Sequence, residues 1–277
     1  MLIYSSVTTT EINSNMYNKY TSYAATLWFL IVLVGQWIFG YYILMYFLIP
    51  SLSEGIQYLQ NTHLPKSYIE GDLKGNISIA AHLFLSAAFL FMGPLQLIPQ
   101  VRKKFPSFHR WNGRFYILLA CLIALSGIYL VIFRGAVGGT VQHISILING
   151  ILILIFAGSA LYFAIKRKIQ IHRRWALRLF LAASGVWFAR LGLQLWLFIH
   201  DGKAVGFDWE TFTGPFLYFL GFAQYLLPLA ILELYFYSQK AQKPYIQIFT
   251  TGVLIIASVI TAIGIYAAST GMWLNRV

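Results

Sequence analysis

Six histidines stand in this sequence, at positions 63, 82, 109, 143, 172 and 200. Four of them, His82, His109, His143 and His172, fall near the starts of four successive apolar runs. His82 and His143 are 61 residues apart, and His109 and His172 are 63 apart. Each interval is one excursion across a membrane and back, so each pair shares a membrane face. Paired imidazoles from alternate helices supply two axial nitrogens, the ligand set of a b-type haem. At 3.6 residues per turn the face of His109 carries Gly113, Tyr116, Ala120, Ile123 and Gly127. The face of His143 carries Leu147, Gly150 and Ala157, that of His172 carries Ala176, Leu179, Ala183, Val186 and Arg190, and that of His82 carries Ser86, Phe89 and Gly93. Small residues on every face give the clearance a planar macrocycle needs. They also line ordinary helix seams in membranes, so the competing expectation is a polar network of histidines and arginines in a transport or scaffold protein. Zinc or a diiron centre would want carboxylates or thiolates, and these four runs hold no Asp or Glu. His63 and His200 fall in or beside loops, where solvation is expected.

Arg190 lies 18 residues after His172, five turns along and on the same face of a straight helix. That is about 27 Å at the helical rise, which brings it level with the His82/His143 pair. A guanidinium at that depth needs an anionic partner. A haem propionate, an anionic substrate, Asp201 or a water-filled cleft would serve. Arg178 points to another face, and Glu233 is the one acid within a span. Their expected relation is an ion pair between two helices, with a proton relay as the sharper alternative. Arg110, Arg114, Arg173 and Arg174 crowd His109 and His172, where lipid headgroups, an anionic reductant or haem propionates would meet them. Asn149, Gln194 and Gln224 are expected to bond between helices. Hydrolase signals are absent. There is no serine nucleophile elbow, and RGAVGGT (134–140) reads as a tight helix link rather than a phosphate loop.

The elements that must carry these residues follow from composition. Of 277 residues, 59% are hydrophobic and 10% charged, against about 25% charged in a soluble domain. Mean hydropathy is +0.69. These values exclude an ordinary soluble enzyme and disorder, and they predict an all-α integral membrane protein in a lipid bilayer. Seven spans are expected, at about 23–50, 77–99, 111–133, 141–165, 175–199, 214–237 and 247–270, with spans two to five as a four-helix core. The loop 51–76, which holds Pro65, has room for a short interfacial helix. The lone Cys121 permits no intrachain disulfide.

The net charge of +12 comes from loops on one side, at residues 102–114, 166–174 and 240–243. Topology explains it, and nucleic acid is set aside. By the positive-inside rule that side is cytoplasmic. The N-terminal segment 1–22 is then inside and the C-terminus outside, with 23–277 a single domain in a bacterial inner membrane. Segment 5–22 lacks the basic start and cleavage site of a signal peptide, so the first span is expected to be retained.

Two segments carry a resemblance. SFHRWNGRFYILLACLIALSGIYL (107–130) and IHRRWALRLFLAASGVWFARLGL (171–193) resemble the uncharacterised bacterial membrane-protein family DUF2306, over about residues 75–240. More distantly, the chain is similar to the cytochrome b-561 superfamily. There, histidines on the second and fourth helices hold one haem and those on the third and fifth hold another. That resemblance implies two haems b, on His82/His143 and on His109/His172, with Arg190 beside a propionate. The chain would then be a transmembrane electron carrier, an oxidoreductase whose donor and acceptor the sequence does not name. Seven spans instead of six set it apart, so no substrate site is carried over. A homo-oligomer is left open.

Overall fold

The computed structural model describes residues 9–64, 66–135, 137–241 and 243–277. The start of the expected N-terminal segment, residues 1–8, lies outside the described residues, as do Pro65, Ala136 of the RGAVGGT link and Gln242. Several helices begin or end on a residue suited to that position. Helix α1 (Thr9–Ile43) runs on through a π-helical turn, Leu44–Leu48, into α2 (Ile49–Glu54), which stops at Gly55 with φ +88. A 3-10 turn, Ile56–Asn61, is the short helical piece of the first long loop. Asp72 caps α3 (Leu73–Leu97), its Oδ1 accepting from Gly75 N at 2.9 Å. Prolines open α4 (Pro99–Lys104) and α5 (Pro106–Tyr129), where the missing N–H costs no helix bond. A second π turn, Leu130–Arg134, extends α5. The link to α6 (Gly139–Ile165) turns through Gly135 and Gly138, at φ +74 and +98. Helices α9 (Pro215–Ala241) and α10 (Pro244–Ala268) follow, and a third π turn, Ser269–Trp273, extends α10.

The fifth span is broken. Helix α7 (Ile169–Ala183) and α8 (Gly185–Ile199) meet at Ser184 with a 47° bend. The sequence predicts one continuous helix here, since no proline marks the break. Gln36 of α1 donates to the Ser184 hydroxyl at 2.8 Å, and that hydroxyl donates to Phe180 O at 2.7 Å. The break therefore carries its own polar clamp. Among the described residues six helices are long and apolar enough to cross a membrane, and the bent pair counted as one span makes seven.

The helices pack in a ring. Helix α3 lies on α5, α5 on α6, and α6 on α7, while α8 lies on α10, α10 on α1 and α1 back on α3. Helix α9 braces α6, α7, α8 and α10 from one side. Large apolar side chains such as Leu30 and Val34 of α1 and Ile151 and Ile155 of α6 stay exposed, as a lipid-facing surface requires. The connections 55–72, 135–138 and 200–214 share one end, here the loop face, where Lys66 Nζ donates to Arg134 O at 3.3 Å. The connections rich in Lys and Arg occupy the other end, the basic face.

Candidate functional site

Two adjoining cavities, of about 60 and 110 Å³, lie inside the ring toward the loop face. Both are lined by Phe39, His82, Ser86 and Val186, so these residues form the boundary between them. The smaller space is polar at its mouth, with Tyr42, His63 and Arg190. The deeper one is apolar and walled by small residues of spans two to five, among them Ala120, Ala124, Gly127, Gly150 and Ala183.

His82 is held in one orientation. Its Nδ1 lies 2.9 Å from Ser126 Oγ, whose own proton goes to Ile123 O at 3.0 Å. The network therefore assigns Nδ1 as the donor and leaves a lone pair on Nε2, the arrangement that prepares an imidazole for a metal or for an acidic proton. Gly127 gives the ring room: a Cβ there would stand 3.5 Å from His82 Cε1. Arg190 reaches the same cavity. Its guanidinium sits over the Phe39 ring at 5.3 Å and donates to Val186 O at 3.4 Å. Among the described residues it forms no ion pair with a carboxylate; the ion pairs there are Arg134–Asp72 and Arg178–Glu233. Although α8 bends by 47° from α7, Arg190 shares a cavity wall with Val186, the residue one turn before it on the face expected from the sequence.

The sequence reading missed two further groups at this mouth. The Tyr42 hydroxyl is buried, with the Arg276 guanidinium as the nearest side-chain partner and no bond of good geometry to it. His63 keeps solvent exposure, as expected of a loop residue, yet packs on Tyr46 and Phe47 at 5.7 and 5.8 Å and lines the cavity. Desolvation there, followed by the charges of Arg276 and Arg190, pushes its pKa down to about 4. Arg276 stands over the Tyr46 ring at 5.9 Å. A pattern of single residues on three distant segments leaves no signal in the chain's periodicity.

The other three histidines are placed differently. His143 is half-buried on α6 and lines neither cavity. It stands three, seven and ten residues before Ile146, Gly150 and Ile153, which do line the deeper one. His109 and His172 are within electrostatic reach of one another. His172 Nδ1 donates to Ala160 O at 2.8 Å, leaving its Nε2 free. For His109 the balance is reversed. The Gln96 amide pairs at both ends only with its nitrogen toward His109 Nδ1, at 3.1 Å, and its oxygen toward Gly113 N, at 3.1 Å. Nδ1 then accepts and Nε2 holds the proton, which is unsuited to a metal. The clearance expected beside Gly93 is filled by Tyr116, stacked on Phe89 at 4.3 Å; a Cβ on Gly93 would stand 2.8 Å from the tyrosine ring.

These observations test haem fit. His82 fits an axial ligand, with Arg190 near for a propionate. The two-haem layout does not fit: His109 presents a proton, Tyr116 fills the clearance beside Gly93 on the His82 face, and His143 stands off the cavity. No group of three or more His, Cys, Asp or Glu gathers among the described residues.

The remaining polar residues are structural. Arg178 pairs with Glu233 at 2.7 and 3.0 Å and covers Trp175 at 4.7 Å, the ion pair the sequence predicts between spans five and six. Gln194 donates to Met272 Sδ at 3.6 Å, joining α8 to the turn after α10. Gln224 instead bonds within its own helix, to Gly221 O at 2.7 Å. Arg134 is not a solvated loop residue: it is buried and donates to Asn76 Oδ1 at 2.8 Å. His200 Nδ1 bonds Trp196 O at 2.8 Å.

A family model described as predicted membrane protein, DUF2306, matches residues 79–227, which include His82, His109, His143, His172 and Arg190. No curated protein and no solved structure matches the chain, so the likeness to cytochrome b-561 has no counterpart in these comparisons.

Proposed function

We propose a ligand-binding role within the membrane, starting from the fact that the chain belongs to the DUF2306 family of predicted membrane proteins. The ligand is a small amphipathic molecule. Its body, about the size of one ring, sits in the deep cavity, and an anionic or hydrogen-bond-accepting group reaches past the shared wall at Phe39 and Val186 toward Arg190 and Tyr42 in the smaller space. The observation that carries this reading is Arg190 itself: a guanidinium inside a span, opening on a cavity, with no carboxylate paired to it among the described residues. Such a charge is costly in a bilayer unless an anion or water meets it. The test uses the full-length protein in detergent. Benzoate should protect against thermal unfolding more strongly than toluene, and Arg190→Met should remove the difference while toluene protection stays. Protection by neither compound overturns the reading.

A second reading is favoured by the free Nε2 of His82. Here one haem b takes His82 as ligand and Arg190 as propionate partner, and supplies one-electron chemistry to a transmembrane carrier. The separate cavities of about 60 and 110 Å³ would have to join at Phe39 to admit it. A reduced-minus-oxidised spectrum of membranes overexpressing the chain should then show a Soret band that His82→Ala abolishes. In that case Arg190→Leu lowers the midpoint potential, because loss of a cation disfavours the reduced state. Absence of the band removes this reading.

A further inference from the structure

The deep cavity contains more polar chemistry than its apolar lining suggests. Asn149 of α6 and Trp187 of α8 both line it and are 7% and 2% exposed. Asn149 Oδ1 and Trp187 Nε1 are both buried without a hydrogen-bond partner. A buried polar group left unpaired is costly, so two on one cavity call for a partner. The third polar group on the wall is His82 Nε2, a lone pair by the argument above. The cavity reaches the clamped break of the fifth span: Ala183, Val186 and Trp187 line it, and the Asn149 amide nitrogen would stand 2.9 Å from a Cβ on Gly185. Interrupted helices are where membrane proteins commonly place their ligand sites.

Size and hydrogen-bond sense together select a ligand class. A dry cavity of about 150 Å³ lined by Leu, Ile and Phe takes one benzene, and this one, at about 110 Å³, is slightly smaller. A single six-membered ring is therefore the largest body it takes without rearrangement. Trp187 Nε1 can only donate, whereas Asn149 Oδ1 and His82 Nε2 can only accept. A plain hydrocarbon ring satisfies none of them. A ring dione accepts from Trp187 alone and sets its oxygens against the other two lone pairs. A ring with two hydroxyls supplies both senses, because each hydroxyl donates once and accepts as well.

We propose that the cavity at the break of the fifth span binds a small dihydroxy-aromatic ring, in preference to the corresponding ring dione. This inference rests on the ligand-binding reading above and names its ligand class. Asn149 and His82 take the hydroxyl protons, and Trp187 donates to a hydroxyl oxygen. Nothing need be oxidised for binding, so the preference is a property of the resting protein.

The test is calorimetric titration of the full-length protein in detergent with hydroquinone, benzoquinone and p-xylene. A Cys121→Ser background is used because quinones add to thiols. Hydroquinone should bind at least about tenfold more tightly than p-xylene, which has nearly the same outline, and more tightly than benzoquinone; tenfold corresponds to one good hydrogen bond. Asn149→Leu should erase the advantage of hydroquinone over p-xylene, read as the ratio of the two affinities in the same variant. Trp187→Phe, which keeps the ring, gives an independent reading and should shrink the same advantage. Equal binding of hydroquinone and p-xylene, or an advantage that survives both substitutions, overturns the proposal while leaving the cavity a binding site. Failure of all three rings to bind removes the ligand-binding reading with it.

Discussion

Gly127→Ala is the substitution on which the cavity can be weighed. Gly127 lines the deep space from α5, and a Cβ there would meet only the His82 ring, at 3.5 Å from Cε1 and 3.9 Å from Nδ1. Both are ordinary contacts, so nothing has to move. Replacing a mid-helix glycine by alanine is worth about 0.8–1 kcal/mol, and a methyl placed in apolar space adds about 0.8 kcal/mol. The variant should be more stable by about 1–2 kcal/mol, a rise of roughly 2–8 °C at the 2–4 °C per kcal/mol of a chain this large. Cys121, the single cysteine and half-buried on the same helix, reports the transition through a thiol-reactive dye. Gly93→Ala is the control. It gains the same helix propensity, but its Cβ would stand 2.8 Å from the Tyr116 ring, so it should melt below wild type. The new methyl also takes cavity volume, so Gly127→Ala should bind p-xylene several-fold more weakly. A Gly127→Ala protein that melts lower than wild type, or that binds p-xylene unchanged, would refute the description of this wall as open space.

Glu233→Gln should destabilise the protein by about 1–3 kcal/mol, since it removes a charge-assisted pair. Arg178→Met combined with Glu233→Met should cost less than the two single changes added together; strict additivity in that double-mutant cycle would mean the pair is not coupled. His63 predicts a pH dependence. Its folded pKa is pushed below the ordinary 6.5 to about 4, so the unfolded chain binds the proton first on acidification. Stability from this group is complete above pH 6.5 and lost as pH falls toward 4, and a His63→Gln variant should show a flatter melting profile across that window. Reporter fusions after residues 104, 169 and 242 should all read as cytoplasmic; an external signal at any of them would reverse the orientation taken from the basic loops.

The helices were legible because burial in lipid demands long apolar runs, and the expected span 141–165 emerges as α6, which starts only two residues earlier. The Arg178–Glu233 pair was legible because few charges are available inside spans to meet one another. The break at Ser184 was not. It depends on Gln36, 148 residues away, donating to that serine, and no local rule signals such a partner. The same limit applied to His109. Its spacing from His172 suits a ligand pair, but its tautomer is set by Gln96 on another helix. Helical periodicity assigns faces, whereas the direction of a proton depends on what each face meets.

Among the described residues three π-helical turns occur, all at the loop face, in Leu44–Leu48, Leu130–Arg134 and Ser269–Trp273. A π turn is, in sequence terms, an α-helix with one residue inserted. Each added residue rotates everything beyond it by about 100°. Phe47, Val131 and Trp273 are thereby turned inward and buried, while the spans beneath keep their own lipid-facing stripes. The chain ends of the ring are thus phased independently of its shafts. One-residue deletions in these turns should be tolerated by the helix itself but should swing Arg134 off Asn76 or Trp273 off Phe39, its neighbour at 4.8 Å. Length variation in this protein is constrained most strongly where its helices look longest and most permissive.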